Sequence, residues 1–279
     1  MKKIAYFSLT AALFSFVLFS GCKNTGKSGE EKGQSDTTAT EQKEQMAEKT
    51  EAGVPPNTLT PEEETDGWVL LFDGKTPDGW RGYGKDHFPS GWEVVDGTLH
   101  CKGSGRGEAG GKEGGDIIYA KRKFKDFDLK LEWKISPGGN SGIFYLARET
   151  DKPIWTNAPE MQVLDNERHP DAKLGKDGNR QAGALYDLIP AKPQTAKPAG
   201  EWNQVEIIVY RGTVIHKMNG ETVLEYHLWT PEWDSLVAQS KFPKYNPDWA
   251  NVAEEGYIGL QDHGDDVWYR NIKIKDLSK

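Results

Sequence analysis

The stretch "GWEVVDGTLHCK", residues 91–102, decides how the rest of this chain is read. Trp92 to Val95 and Thr98 to Lys102 flank Asp96-Gly97, a pair that accepts the positive φ angles a two-residue hairpin turn requires. A second hairpin lies in "NQVEIIVYRGTVIHKMNGETVLEY" (203–226), turned at Asn219-Gly220. Between them, "DIIYAKRKFKDFDLKLEWKI" (116–135) alternates Phe127, Leu129, Leu131 and Trp133 with Asp128, Lys130 and Glu132, the pattern of a half-buried strand. "GWVLLFDG", "GIFYLAR", "EMQVLD", "GALYDLI" and "GYIGLQDH" continue the series. Only "TPEWDSLVAQSKF" (230–242) reads as a helix, with Thr230 as its N-cap and Pro231 in its first turn. Short strands, regular turns and one short helix predict an all-β, two-sheet sandwich. The Gly-rich "GSGRGEAGGKEGG" (103–115) precedes a strand, so it reads as a loop and not as a phosphate cradle.

The N-terminus has a different character. Lys2 and Lys3 precede an apolar run from Ile4 to Phe19, and "FSGC" ends at Cys22. That is the layout of an export signal, and its end resembles the lipobox of bacterial lipoproteins, in which the Cys is acylated. Residues 1–21 are therefore expected to be a signal peptide, with Cys22 carrying lipid and anchoring the chain to a membrane. The expected location is periplasmic or cell-surface. Residues 22–62 are mostly Lys, Glu, Gln, Ser, Thr and Gly, too polar to offset their ordering entropy, and are expected to form a disordered tether. The domain is then 63–279.

With Cys22 assigned to lipid, Cys101 stands alone, so neither a disulfide framework nor a Cys-based zinc site is expected. The 43 acidic against 35 basic residues give a net charge of −8 with no basic block in the folded part, which argues against nucleic acid. Ten Trp and ten Tyr suit a carbohydrate ligand, whose C–H faces stack on flat rings. All-β proteins are aromatic-rich for packing reasons as well.

Strand parity separates core from outer face. In "EMQVLD" Met161 and Val163 take the core face, leaving Glu160 and Gln162 opposite. In "GYIGLQDH" Ile258 and Leu260 face the core, leaving Tyr257, Gln261 and His263 opposite. In "NSGIFYLAR" Phe144 and Leu146 are expected in the core and Ser141, Ile143 and Tyr145 outside. Asp262 has core parity but precedes Gly264, where it could cap a turn. The helix around 233–242 and the loop 103–115 are expected to rim the groove so formed.

The ordered set "GWVLLFDGKTPDGW", "GWEVVDGTL", "DFDLKLEWKISPGGNSGIFY", "PEMQVLDNERHPD", "GALYDLIPA", "EWNQVEIIVYRGTVIHKMNG", "SKF" and "GYIGLQDHGDDVWYRNIKI" resembles the 3-keto-disaccharide hydrolase family over roughly Asp66 to Leu277. The resemblance implies a concanavalin A-like jelly-roll sandwich. It also implies cleavage of glycosides oxidised at C3, by elimination across C1–C2 and hydration of the resulting glycal. A separate oxidoreductase would supply the keto sugar. By motif position it carries over Glu160, Gln162, Asp165, Gln261, Asp262 and His263. The proton transfers of such a reaction then suit Glu160 and His263 as catalytic acid and base in either order, with Gln162, Gln261, Asp165 and Asp262 around the substrate. Tyr186 and Ser141 are added as substrate-binding candidates, and His216 and Arg270 as weaker ones. Glu160, Asp165, His169 and His263 could also hold a divalent cation, though no tight spacing such as HxxxH supports it; no other cofactor is expected. Two rivals remain. A carbohydrate-binding module would not need both Glu160 and His263, and an ordinary glycosidase would need a second carboxylate facing Glu160.

Overall fold

The structure is a computed structural model that describes residues 53–104 and 114–278. The leader, Cys22, most of the polar segment and residues 105–113 of the Gly-rich loop lie outside them. The strands, in chain order, are β1 (Trp68–Leu70), β2 (Trp80–Gly82), β3 (Trp92–Val95), β4 (Thr98–Cys101), β5 (Ile117–Tyr119), β6 (Phe127–Ile135), β7 (Asn140–Ala147), β8 (Glu160–Leu164), β9 (Asn203–Tyr210), β10 (Thr213–Met218), β11 (Glu221–His227), β12 (Tyr257–Leu260) and β13 (Val267–Asp276). An eight-stranded sheet runs β11-β10-β9-β6-β13-β4-β3, with β1 also pairing β13. A five-stranded sheet runs β2-β5-β12-β7-β8. The pairings are antiparallel, giving the all-β jelly-roll sandwich expected.

Both hairpin turns have the backbone their residues favour: Asp96 and Gly97 at φ 48° and 71°, Asn219 and Gly220 at 51° and 87°. Leu129, Leu131 and Trp133 of β6 and Val205, Ile207 and Val209 of β9 face the second sheet. There they meet Met161 and Val163 of β8 and Ile258 and Leu260 of β12. Each such side chain contributes about 1.5–3 kcal/mol by leaving water. The helix α2 (Pro231–Ala238) starts where Thr230 accepts the Trp233 N–H at 3.2 Å, and buries Trp233 and Val237, one turn apart.

The structure corrects the sequence reading in three places. First, β7 is oriented the other way: Ile143 and Tyr145 enter the core between the sheets, while Phe144 packs on the outer side with Ile118, Ala147, Ile154 and Ala158. All eight residues of β7 are buried, so apolar side chains on both faces hid the parity. Leu146 also reaches the inner core, at φ 54°, beside a register shift between β7 and β12. Second, the segment before residue 63 is tied to the sandwich at Asn57. Asn57 is buried, its Oδ1 accepts the Asn271 N–H at 2.9 Å, and its Nδ2 donates to the Gly97 carbonyl at 2.9 Å. Composition missed this because amide hydrogen bonds, not apolar area, hold the segment. Third, a further short helix, α1 (Pro61–Thr65), opens with a capping box between Thr60 and Glu63.

Candidate functional site

The outer face of the five-stranded sheet carries a pocket of about 180 Å³. Strand β8 presents Glu160 and Gln162 to it, the face opposite Met161 and Val163. Gln261 and His263 follow β12, and Asn140 opens β7. Trp155, Tyr186, Lys241 and Tyr245 complete the walls from the surrounding loops. Drug-sized clefts run about 300–1,000 Å³, so this pocket matches a single sugar ring better than a long oligosaccharide.

Glu160 has its position because β7 puts a glycine beside it. A Cβ on Gly142, which pairs with Gln162 across the two strands, would stand 2.0 Å from Glu160 Oε1. The carboxylate therefore occupies the space a side chain at 142 would fill.

Four buried side-chain polar atoms among the described residues lack a hydrogen-bond partner, and three of them are Asn140 Oδ1, Trp155 Nε1 and Gln261 Oε1. All three belong to residues lining this pocket. Buried polar atoms are nearly always paired, so a cluster of unpaired donors and acceptors marks where a polar ligand belongs. A larger groove of about 440 Å³ lies on the outer face of the eight-stranded sheet, under the N-terminal segment. Its charges already pair with one another: Lys273 with Glu63, Lys217 with Glu206 at 3.2 Å, and Glu132 with Arg270 at 2.7 Å. The smaller pocket is the one with unmet chemistry.

One wall is an ordered chain of charges. Lys241 Nζ donates to the Tyr186 hydroxyl at 3.0 Å, and that hydroxyl donates to Asp171 Oδ2 at 3.0 Å. Arg180 Nη1 bonds Asp171 Oδ1 at 2.8 Å and Arg180 Nε bonds Asp187. Burial pulls the Lys241 pKa below the ordinary lysine value, and the Arg180 charge adds to this against the nearby carboxylates. Burial, with the negative charges of Asp171 and Glu160, pushes the Tyr186 phenol up, so it stays protonated.

Of the expected residues, the fold brings together Glu160, Gln162, Tyr186, Gln261 and His263. Ser141 is corrected: it is buried on the inner face of β7, where its Oγ meets the Gln261 carbonyl and the Tyr269 hydroxyl, each at 2.7 Å. Asp165 and Asp262 cap turns instead of lining the pocket. Asp165 accepts from Gly138 N at 2.7 Å and Glu167 N at 3.0 Å, and Asp262 from Gly115 N at 2.7 Å and Gly264 N at 2.9 Å. His216 lies between the sheets, with Nε2 2.8 Å from the Tyr145 hydroxyl, and Arg270 pairs with Glu132 on the larger sheet. Sequence reasoning missed Asn140, Trp155, Lys241 and Tyr245. Correct β7 parity would have found Asn140, and Lys241 stood in the quoted "SKF"; no local signal marks Trp155. Of the two expected rims, the stretch after α2 does border the pocket through Lys241 and Tyr245.

The metal candidates also regroup. His169, His263 and Asp265 converge, with ligand atoms within 4.8 Å of one another, while Glu160 and Asp165 stay outside the cluster. His169 Nδ1 accepts the Asp171 N–H at 3.1 Å, so in the neutral ring Nε2 carries the proton and has no lone pair to offer. Asp265 Oδ2 accepts the Asn140 N–H at 3.0 Å. His169 and Asp265 thus each spend one ligand atom on a backbone N–H, and as arranged His169 has no lone pair for a cation.

A jelly-roll sandwich with a carboxylate, an imidazole and unmet polar groups lining one pocket defines the class. The chain belongs to the family of the 3-keto-alpha-glucoside-1,2-lyase-like domain, whose profile matches residues 67–275. It is 50% identical to the 3-keto-disaccharide hydrolase of Bacteroides thetaiotaomicron over 299 residues, covering 99% of this chain and 100% of that protein. Two crystal structures of candidate glycosyl hydrolases from Parabacteroides distasonis are also similar. One is 29% identical with a TM-score of 0.70, covering 80% of this chain and all of that one. The other is 27% identical with a TM-score of 0.57, covering 75% and 99%.

Proposed function

We propose that this protein cleaves 3-keto-glycosides by elimination and rehydration. The observation that carries the reading is one pocket holding Glu160, His263 and three unpartnered polar atoms of Asn140, Trp155 and Gln261. A ring bearing neighbouring hydroxyls satisfies such donors and acceptors together. The ketone at C3 acidifies the C2–H bond. Glu160, buried on the pocket wall, takes that proton, and the C–H electron pair forms the enolate. Its collapse forms the C1–C2 double bond and expels the C1 oxygen, which His263, half-buried, protonates as it leaves. Water then adds across C1–C2, its proton going to C2 and its hydroxyl to C1, which makes the net reaction hydrolysis. Glu160 is the one carboxylate lining the pocket among the described residues, which favours this route over a two-carboxylate glycosidase.

The substrate must come from a separate oxidoreductase acting on the parent glycoside. The leader and Cys22 support placing the protein on a membrane through a lipid, at the periplasmic side or the cell surface. The test is incubation with a 3-keto-glycoside and with its unoxidised parent. Only the keto sugar should be cleaved, and Glu160→Gln and His263→Ala should each lower turnover by at least ~10²-fold. Full retention of a C2 deuterium in the product, with no isotope effect, would replace elimination by ordinary hydrolysis.

A further inference from the structure

The reaction as written leaves one charge without a partner, and the pocket contains one lysine. Lys241 is fixed by the turn that follows α2. Ser240 Oγ accepts the Phe242 N–H at 3.2 Å, and the Phe242 ring stacks on Trp249 at 4.1 Å. This holds the backbone while the side chain extends into the pocket, where Nζ sits 4.2 Å from the centre of the Tyr186 ring. Among the described residues its one hydrogen bond goes to the Tyr186 hydroxyl, and no carboxylate lies within 4.0 Å of it. Two ammonium N–H groups remain for a ligand. A half-buried ammonium with no ion-pair partner is costly and is the kind of feature that gathers at functional sites.

Lys241 is the one lysine or arginine lining the pocket among the described residues; Trp155 Nε1 is an unpartnered N–H donor there but brings no charge. Two of the three unpartnered atoms, Asn140 Oδ1 and Gln261 Oε1, are acceptors, which meet hydroxyls and repel an oxyanion. Tyr186 already gives its proton to Asp171. His263 is occupied at the leaving group.

We propose that Lys241 is a further catalytic residue: its ammonium donates a hydrogen bond to the C3 ketone oxygen and carries the negative charge that develops there. The inference rests on the reaction proposed above. When Glu160 takes the C2 proton, the C–H pair enters C2–C3 and the carbonyl pair moves onto oxygen, beside Nζ. When the enolate collapses, that pair returns and the C1 oxygen departs with its own. Lys241 ends as it began, with no covalent bond made. Its charge acts in a small pocket walled by aromatic rings, where such a contact is worth far more than in water.

The test uses the full chain and a 3-keto-glucoside. Lys241→Met should lower kcat by about 10²–10³-fold, the scale for one oxyanion donor, with KM within a few-fold and thermal stability nearly unchanged. Lys241→Arg keeps the charge, so it should recover at least ~10-fold over the Met variant, and should move the alkaline limb of the kcat profile upward, because a guanidinium stays charged above pH 12. A purely structural lysine would not shift that limb. Should Lys241→Met fail to fold, the Arg variant and its pH profile decide alone. Wild-type kcat in Lys241→Met would overturn the inference and leave the reaction standing. So would a substrate adduct on Lys241 trapped by cyanoborohydride, which would mean an iminium in place of a charge contact. A wild-type protein that neither cleaves the keto sugar nor exchanges its C2 proton would instead overturn the reaction, and this role with it.

Discussion

Replacing Gly142 with alanine is the sharpest perturbation the site allows, because it touches Glu160 without altering a polar group. The new Cβ would stand 2.0 Å from Glu160 Oε1, 2.7 Å from its Cδ and 2.8 Å from its Cγ, where ordinary contact begins at 3.4 Å. The carboxylate must therefore retreat by about 1.4 Å, the gap between those two separations. Gly142 does not need a glycine backbone, since its φ lies outside the positive range, so no strain arises there. A buried glutamate forced off its rotamer costs about 0.5–1.5 kcal/mol, which lowers the melting temperature of a domain this size by roughly 1–6 °C. Activity should suffer more, since about 1 Å of misplacement can cost ~10²-fold in rate. The assay is steady-state cleavage of a 3-keto-glycoside beside a thermal melt of both proteins. A variant that melts a few degrees lower yet keeps activity within about three-fold would refute the claim that Glu160 acts from the position described.

Two further predictions concern residues away from the pocket. Ser141→Ala removes the hydroxyl that joins the Gln261 carbonyl to the Tyr269 hydroxyl; it should cost about 1–3 kcal/mol in denaturant unfolding and leave KM nearly unchanged, whereas a substrate-binding serine would raise KM. His216 is fully enclosed and burial depresses its pKa from 6.5 to about 4. The unfolded chain therefore takes up a proton over the window that the folded chain refuses, and stability falls as pH drops from 6.5 toward 4, by on the order of 3 kcal/mol. Chemical unfolding at several pH values should show this slope in the wild type and a flatter one in His216→Gln.

The sequence was most informative where one face of a strand is polar. Glu160 and Gln162 against Met161 and Val163, and Gln261 and His263 against Ile258 and Leu260, are alternations that burial enforces. The Asp-Gly and Asn-Gly hairpins were equally legible, because few residues adopt their backbone. β7 was not, since a strand covered on both sides has no polar face to orient it. Lys241 was out of reach for a different reason. A lysine just past a helix reads as solvated, and only its partner Tyr186, 55 residues earlier in the chain, shows otherwise. Asp165 and Asp262 mislead in the opposite sense: a carboxylate beside a motif looks chemical, yet backbone N–H groups consume it.

The amide clasp between Asn57 and Asn271 fixes where the chain enters the domain. The segment from Val54 to Glu63 lies along the outer face of the larger sheet, beside Lys130, Glu206 and Lys217. The pocket opens on the outer face of the smaller sheet, with the whole thickness of the sandwich between. A domain fixed to a bead or an electrode directly at the segment from Val54 to Glu63 would therefore turn its back to the support and its mouth to the bulk solution. Immobilisation there should leave substrate access unobstructed, whereas attachment through Tyr245, exposed at the pocket, would not.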